Sequence, residues 1–186
     1  DDPAYLLFTS GTTGSPKAVV LSHDSIVNNA YLASGRIGFR SQDRVCLPLP
    51  LFHVFGVWVT IACIINSATV VLPSERFDAR GTLSAIERER CTLLFGVPAM
   101  FTAILEDPDF AKFDLSSLRG GLMGGAPCPP ETVRKAMDLM HMRDILIGLG
   151  LTEVAGALLT TRQNDSLERR IGTVGIPLPG VAAKIV

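Results

Sequence analysis

The sequence lacks the features by which several classes of protein are recognised. Its 186 residues contain four cysteines, none spaced as a Cys-x-x-Cys pair, which indicates neither a zinc site nor a disulfide framework. The formal net charge is -1 and only 6% of residues are aromatic, so a basic, base-stacking surface for nucleic acid is not expected. Reduced thiols predict an intracellular, cytoplasmic protein, with peripheral membrane contact left open.

Long hydrophobic runs are also absent. The longest apolar stretch covers residues 54–65 and is interrupted by Gly56 and Thr60. A membrane-spanning helix needs about 20 apolar residues, so this stretch predicts a buried helix and no transmembrane segment. Apolar residues nevertheless make up 47% of the chain, which is enough for a substantial core and suggests a further surface that a partner covers.

A segment of hydroxyls and glycines near the start of the chain is the strongest functional signal. It lies between two apolar runs, residues 5–8 and 18–21, which we predict to be buried strands. Backbone N–H groups and hydroxyls in such a loop can surround an oxyanion, and a lysine at its exit adds a charge that attracts phosphate. The predicted phosphate-binding residues are Thr9, Ser10, Gly11, Thr12, Thr13, Gly14, Ser15, Pro16 and Lys17.

This loop differs from the loop of ordinary nucleoside-triphosphate hydrolases. That motif needs Gly-Lys-Ser/Thr leading directly into a helix. Here Pro16 precedes Lys17 and a strand-like run follows, so no helix N-terminus helps to hold the phosphate. A phosphotransferase of that class is therefore disfavoured, and the positive charge is expected from Lys17 and a metal ion.

Three later segments carry candidate ligand contacts. Residues 118–127 contain four glycines, which weaken a strand unless something approaches its backbone closely. Residues 145–153 predict a buried strand that ends at Thr152 and Glu153, where a hydroxyl beside a carboxylate suits Mg²⁺ and phosphate. His53 follows a strand and precedes a helix, a common position for ligand contacts in α/β sheets, although a packed core histidine is an equal alternative.

The alternation of strands and helices predicts an α/β fold with a mostly parallel sheet flanked by helices. We expect a phosphate-loop hairpin and helix over residues 1–40, and an α/β subdomain for nucleotide and acyl group over residues 41–160. Residues 161–186 are expected to form a connector and the first strand of a β-subdomain. The first helix is predicted to begin after Ser22 and to end near Gly35.

Several motifs resemble those of the adenylate-forming superfamily, which includes acyl-CoA synthetases, luciferases and the adenylation domains of peptide synthetases. Residues 5–23, YLLFTSGTTGSPKAVVLSH, resemble its phosphate-loop signature. The segment PLPLFHVFG resembles the superfamily motif that lines the acyl pocket, and FHVFG and GLTE resemble fatty or aryl acyl-CoA synthetases more than peptide-synthetase domains. The chain as a whole is most similar to a fatty or medium-chain acyl-CoA synthetase. The resemblance implies that ATP, Mg²⁺ and coenzyme A convert a carboxylic acid to acyl-adenylate and then acyl-CoA. A non-catalytic nucleotide-binding module and an adenylation domain serving a carrier protein remain alternatives.

The resemblance also implies a role for each motif. The loop at residues 9–17 would take the β,γ-phosphates, with Lys17, Thr152 and Glu153 catalytic, Thr152 on the α-phosphate and Glu153 on Mg²⁺. His53 and Gly125 would border the carboxylate's channel. The remaining ATP-binding positions implied are Gly125, Ala126, Pro127, Leu149, Gly150, Leu151 and Thr152.

Two positions depart from the family pattern, and the chain matches only the middle of the family. Ala18 stands where a glycine is more usual, a mild change in a strand. Leu149 stands where an aromatic residue is usual, which predicts weaker nucleotide affinity or compensation elsewhere. The resemblance covers the central part of the family's large N-terminal domain. We therefore expect the remainder of the same polypeptide to be its partner, and the isolated piece to be inactive.

Overall fold

The computed structural model describes residues 2–10 and 15–184. The strands are β1 (Pro3–Thr9), β2 (Lys17–Ser22), β3 (Arg44–Cys46), β4 (Thr69–Val71), β5 (Leu93–Gly96), β6 (Gly120–Gly124), β7 (Asp144–Leu151), β8 (Gly156–Thr160) and β9 (Ile176–Pro177). The helices are α1 (His23–Ile37), α2 (Val54–Ile65), α3 (Ala79–Glu89), α4 (Pro98–Leu105), α5 (Pro130–Leu139) and α6 (Leu167–Gly172). Short 3₁₀ turns occupy Phe110–Lys112 and Thr152–Val154.

Seven strands form one sheet in the order β4-β3-β5-β6-β7-β8-β9. The strands from β4 to β7 are parallel, whereas β8 and β9 run antiparallel to their neighbours. The predicted α/β fold with a mostly parallel sheet is therefore confirmed. We call the edge where β5, β6 and β7 end the C-terminal edge, and the opposite one the N-terminal edge.

Helices cover both faces of this sheet, and each face has its own core. Ile26 of α1 and Trp58 of α2 pack with Phe95 on one face. Leu83 of α3 and Phe101 of α4 pack on the other. Side chains alternate between the faces along each strand, so the apolar strands of the parallel part are buried on both sides, as expected when helices cover both faces.

The first two strands form a separate antiparallel ribbon in which Leu6 lies opposite Val20. The predicted hairpin is confirmed, but its predicted burial is wrong. Leu7 is buried, whereas 56% of Leu6, 70% of Phe8 and 60% of Val20 are exposed. Successive side chains point to opposite faces of a strand, and within the described residues this ribbon packs through one face only.

The first helix begins as predicted and ends later than predicted. The hydroxyl of Ser22 caps it by accepting a hydrogen bond from the Ser25 amide at 3.1 Å. The helix continues through Gly35 and ends at Gly38, whose φ of 76° is left-handed. An exposed glycine inside a helix is tolerated at about 1 kcal/mol, whereas the left-handed conformation is what terminates the helix.

The apolar stretch at residues 54–65 forms the buried helix α2, with Val59, Ala62 and Cys63 fully buried. Among the helices of the described ranges, none combines the length and the apolarity needed to cross a bilayer. The strand predicted to begin at Val181 is not present over residues 181–184, and residues 185–186 lie outside the described ranges. The division of the chain into three regions stays a prediction.

A buried ion pair joins the starts of three strands at the N-terminal edge. Asp43 is 1% exposed, and the Arg119 guanidinium donates to its carboxylate with an Nη2–Oδ2 distance of 2.6 Å. The Thr92 hydroxyl donates to the same carboxylate at 2.8 Å. These residues directly precede β3, β6 and β5, so the pair fixes this edge of the sheet.

Candidate functional site

An apolar pocket lies at the C-terminal edge, between the start of α2 and the ends of β6 and β7. One wall is the aromatic and aliphatic face of α2, and the opposite wall is glycine backbone, which lets a ligand approach the strands closely. The lining residues are His53, Val54, Phe55, Trp58, Leu122, Gly124, Gly125, Gly148, Leu149, Gly150, Gly156 and Ala157.

His53 lies at the mouth of this pocket and caps α2. Its Nδ1 accepts a hydrogen bond from the Phe55 amide at 3.1 Å, which leaves the proton of the neutral ring on Nε2. The side chain is exposed. The alternative of a packed core histidine is therefore wrong, and Nε2 can donate to a ligand.

Trp58 is one of the α2 residues that line the pocket, and it is 2% exposed. Its ring stacks on Phe55 with centroids 5.9 Å apart and packs edge-on against Phe95 at the same distance. Gly156 lies directly against it, since a Cβ there would be 2.7 Å from Trp58 Cδ1. Sequence reasoning missed this wall, although Trp58 is the single tryptophan of the chain.

The glycines of β6 and Gly125, which follows it, have two roles. Close approach of a ligand was expected, and close packing of neighbouring strands was not. A Cβ at Gly121 would lie 1.9 Å from the Leu94 carbonyl oxygen, and one at Gly120 would lie 2.8 Å from that of Asp144. These two glycines therefore admit neighbouring strands and not a ligand. Gly124 and Gly125 do line the pocket, and Gly125 has a left-handed φ of 81°. Ala126 and Pro127 follow as exposed residues.

The end of β7 brings the third motif to the same edge. Leu149 and Gly150 line the pocket, and Leu149 is 42% exposed. Leu151 is the last strand residue, and the 3₁₀ turn Thr152–Val154 follows at once. Thr152 is partly buried and the Glu153 carboxylate is exposed, so both lie at the strand end as predicted.

The hairpin lies beside this turn through its second strand. Thr9 pairs with Lys17 at the last described position of the ribbon, and Ser10, Ser15, Pro16 and Lys17 are exposed. Gly11, Thr12, Thr13 and Gly14 lie outside the described residues. Strand β2, which begins at Lys17, packs against the Thr152–Val154 turn. The fold thus brings together two motifs that are more than 130 positions apart in the sequence.

Asn29 of α1 is a second residue that sequence reasoning missed. It is 9% exposed, and its Nδ2 donates to the carbonyl oxygens of Val154 at 3.1 Å and Ala157 at 2.7 Å. Its Oδ1 accepts from the Ala157 amide at 3.0 Å. No local pattern signals this role, because the partners lie 125 and 128 residues away.

The polar side chains described at this edge include those of His53, Thr152 and Glu153, and Lys17 begins the strand that contacts the turn. Within residues 2–10 and 15–184, no three His, Cys, Asp or Glu side chains converge on a common metal position. A cation beside Glu153 would therefore take its other ligands from a bound molecule and water.

Burial raises the pKa of Cys63 to about 12 and that of Cys128 to about 11, so these thiols stay protonated and are poor nucleophiles.

Comparison with known proteins places this architecture in a family. Medium-chain acyl-CoA ligase ACSF2, mitochondrial, from Danio rerio is 48% identical over 189 residues, covering 100% of this chain and 31% of that protein. The putative acyl-CoA synthetase YngI of Bacillus subtilis (strain 168) is 42% identical, covering 100% of this chain and 34% of its own length. The chain thus spans about a third of the length of these relatives.

A solved structure has the same fold. The anthranilate CoA ligase AuaEII, crystallised in complex with anthranoyl-AMP, superposes with a TM-score of 0.86 at 30% identity, covering 94% of this chain and 34% of that one. The family model for AMP-binding enzyme matches residues 1–186. The resemblance to the adenylate-forming superfamily is confirmed, and the chain belongs to the AMP-binding enzyme family.

Proposed function

We propose that the protein containing this chain uses ATP to convert an apolar carboxylic acid to an acyl-adenylate, and then to acyl-CoA. The observation that carries the proposal is the contact between β2, which begins at Lys17, and the Thr152–Val154 turn, at the same edge as the apolar pocket. The names of the acyl-CoA ligases and synthetases that the chain resembles support the same reaction class.

The site residues are expected to contribute in two ways, by compensating charge on the phosphates and by positioning the reactants. The attacking carboxylate is already ionised, so no general base is needed, and the obstacle is its repulsion by the triphosphate. Lys17 offsets charge on the β,γ-phosphates, and the Thr152 hydroxyl donates to the α-phosphate. Each electrostatic contact of this kind is worth about 1–4 kcal/mol, depending on the effective dielectric. Catalysis then rests on positioning and charge stabilisation.

Glu153 is the residue that would hold Mg²⁺. Its carboxylate is exposed at the strand end, and Mg²⁺ commonly binds one or two carboxylates together with substrate phosphates and water. The ion, when bound, neutralises charge on the phosphate chain. The chain's own contribution is to place a single carboxylate beside the Thr152 hydroxyl.

The pocket supports an acid with an uncharged tail. Apart from His53, the described side chains that line it are aliphatic or aromatic, and none of them carries a charge. The His53 Nε2–H at the mouth is suited to orient the carboxylate of the acid. Leu149 would pack against the adenine or the acyl group in place of an aromatic residue. The location of the protein in the cell stays a prediction.

The test is carboxylate-dependent exchange of pyrophosphate into ATP by the full-length polypeptide. Glu153→Gln removes the metal-binding charge without changing shape, and we expect exchange to fall at least about 100-fold, as for other groups that stabilise transition-state charge. Glu168→Gln, at an exposed position of α6, is the matched control and should retain exchange. Full exchange by Glu153→Gln contradicts the assigned role.

The molecule that accepts the acyl group from the adenylate is tested in a separate assay. Thioester formation with coenzyme A under the same conditions is the expected result. Adenylate formation without a thioester would favour the alternative of transfer to a carrier protein. Nucleotide binding without pyrophosphate exchange for any apolar acid would favour the non-catalytic module.

A further inference from the structure

Asn29 connects the helix that follows the hairpin to the turn that carries Thr152 and Glu153. It donates two hydrogen bonds to backbone carbonyls beyond Glu153 and accepts one from the Ala157 amide. Val154 ends the 3₁₀ turn and Ala157 lies in β8, so the three bonds span the point where the chain reverses from β7 to β8. One amide side chain therefore bonds to the backbone on both sides of this chain reversal, and we call these three bonds the Asn29 clamp.

The chain reversal has an unfavourable backbone conformation that surrounding contacts must stabilise. Ala155, directly after the 3₁₀ turn, has a left-handed φ of 61°, which is unfavourable for a residue with a Cβ. The Ala155 amide bonds within the turn, to the Thr152 carbonyl at 3.1 Å. Gly156 follows with a φ of 132°, and a Cβ there would lie 2.9 Å from Asn29 Oδ1. The absence of a side chain at Gly156 therefore leaves the space that the Asn29 side chain needs to make the Asn29 clamp.

The position of Asn29 in the chain gives this clamp a functional meaning. Helix α1 starts at His23, immediately after β2, so the element holding the turn is continuous with the strand that begins at Lys17. Resting on the proposed function, we infer that Asn29 is a positioning residue for acid activation. It fixes Thr152 and Glu153 relative to Lys17, so that one triphosphate contacts all three.

A matched contact exists at the other end of the same helix. The Gln163 side chain donates to the Ile37 carbonyl at 2.8 Å and ties the end of α1 to the segment after β8. This is also a single side chain bonded to distant backbone, but it lies away from the turn. Gln163→Ala therefore removes one hydrogen bond, made by an exposed side chain, between α1 and distant backbone without touching the proposed site.

The experiment compares Asn29→Ala with Gln163→Ala in the full-length polypeptide. Hydrogen exchange over residues 149–160 should speed up in Asn29→Ala, because the Ala157 amide loses its acceptor, and should stay unchanged in Gln163→Ala. In the exchange assay, kcat should fall about 10–100-fold for Asn29→Ala, as found for residues that orient metal ligands and reacting groups. The half-saturating Mg²⁺ concentration should rise, and the KM for the acid should stay within about threefold.

Each outcome decides between a positioning role and a purely structural one. Equal kcat values and equal Mg²⁺ dependence in folded Asn29→Ala and the parent overturn the inference, whatever the change in stability. Unchanged hydrogen exchange over residues 149–160 overturns it independently of activity. If Asn29→Ala does not fold, Asn29→Ser is the second variant: its uncharged hydroxyl is too short to make the three bonds of the amide, and the same criteria apply. An inactive parent contradicts the proposed function instead, and hydrogen exchange still decides whether Asn29 holds the turn.

Discussion

Trp58 is the residue on which we expect the size of the apolar pocket to depend. It is almost fully buried, held between Phe55 and Phe95, and no side chain at Gly156 could share its space. If the pocket takes the tail of an acid, as proposed, an indole in this position is expected to limit how deeply the tail enters. The choice among acids of different length is therefore expected to depend on this side chain more than on the glycine wall opposite.

Replacing Trp58 by alanine should move the preference towards longer acids. Each additional buried methylene is worth about 0.8 kcal/mol, so the ratio of kcat/KM values for acids differing by several carbons should change at least about 10-fold. The measurement is kcat/KM for a series of straight-chain acids with the full-length polypeptide. Trp58→Phe is the graded control and should give a smaller shift. An unchanged preference in Trp58→Ala would place the end of the pocket elsewhere.

At the scale of elements, α1 contains two glycines with opposite roles. Gly35 is exposed inside the helix, and a methyl group added there would meet no described atom within 4 Å, whereas Gly38 ends the helix in a left-handed conformation. Gly35→Ala should stabilise the chain by about 0.5–1 kcal/mol, because it reduces the freedom of the unfolded state and improves helix propensity.

Gly38→Ala should have the opposite sign. The alanine Cβ is unfavourable at positive φ and would lie 3.2 Å from Gln163 Nε2, so a loss of about 1–2 kcal/mol is expected. Urea unfolding of the two variants beside the parent measures both effects. Equal shifts of the same sign would contradict the assignment of Gly38 as the helix end.

Elements with a strong pattern could be predicted from the sequence, and their surroundings could not. Alternating apolar runs and capping residues such as Ser22 indicated the strands and helices because those signals are local. The hairpin was expected to be buried because Leu6 and Phe8 are apolar, but exposure depends on what covers a face. Trp58 and Asn29 were missed for the same reason, since their partners come from distant parts of the chain.

On the scale of the whole molecule, the Asp43–Arg119 pair is expected to control global stability. It joins the starts of β3, β5 and β6, and Arg119 also donates to the Gly38 carbonyl at 2.8 Å. Arg119→Ala leaves a buried carboxylate without its cation, which typically costs about 3–5 kcal/mol. Chemical denaturation measures the loss.

The control for this prediction is an ion pair of the same type on the surface. Arg90 and Asp114 are 57% and 53% exposed, so solvent already screens their attraction. Arg90→Ala should leave the unfolding midpoint nearly unchanged. If both arginine variants shift the unfolding midpoint equally, burial does not explain the contribution of the Asp43–Arg119 pair to stability.

The separation of this ion pair from the pocket has a practical consequence. The two lie at opposite ends of the parallel strands, so we expect substitutions around Asp43 that change the thermal half-life to leave the proposed site undisturbed. A protein engineer who wants a longer-lived variant should begin there, and leave the Ala155 reversal as it is.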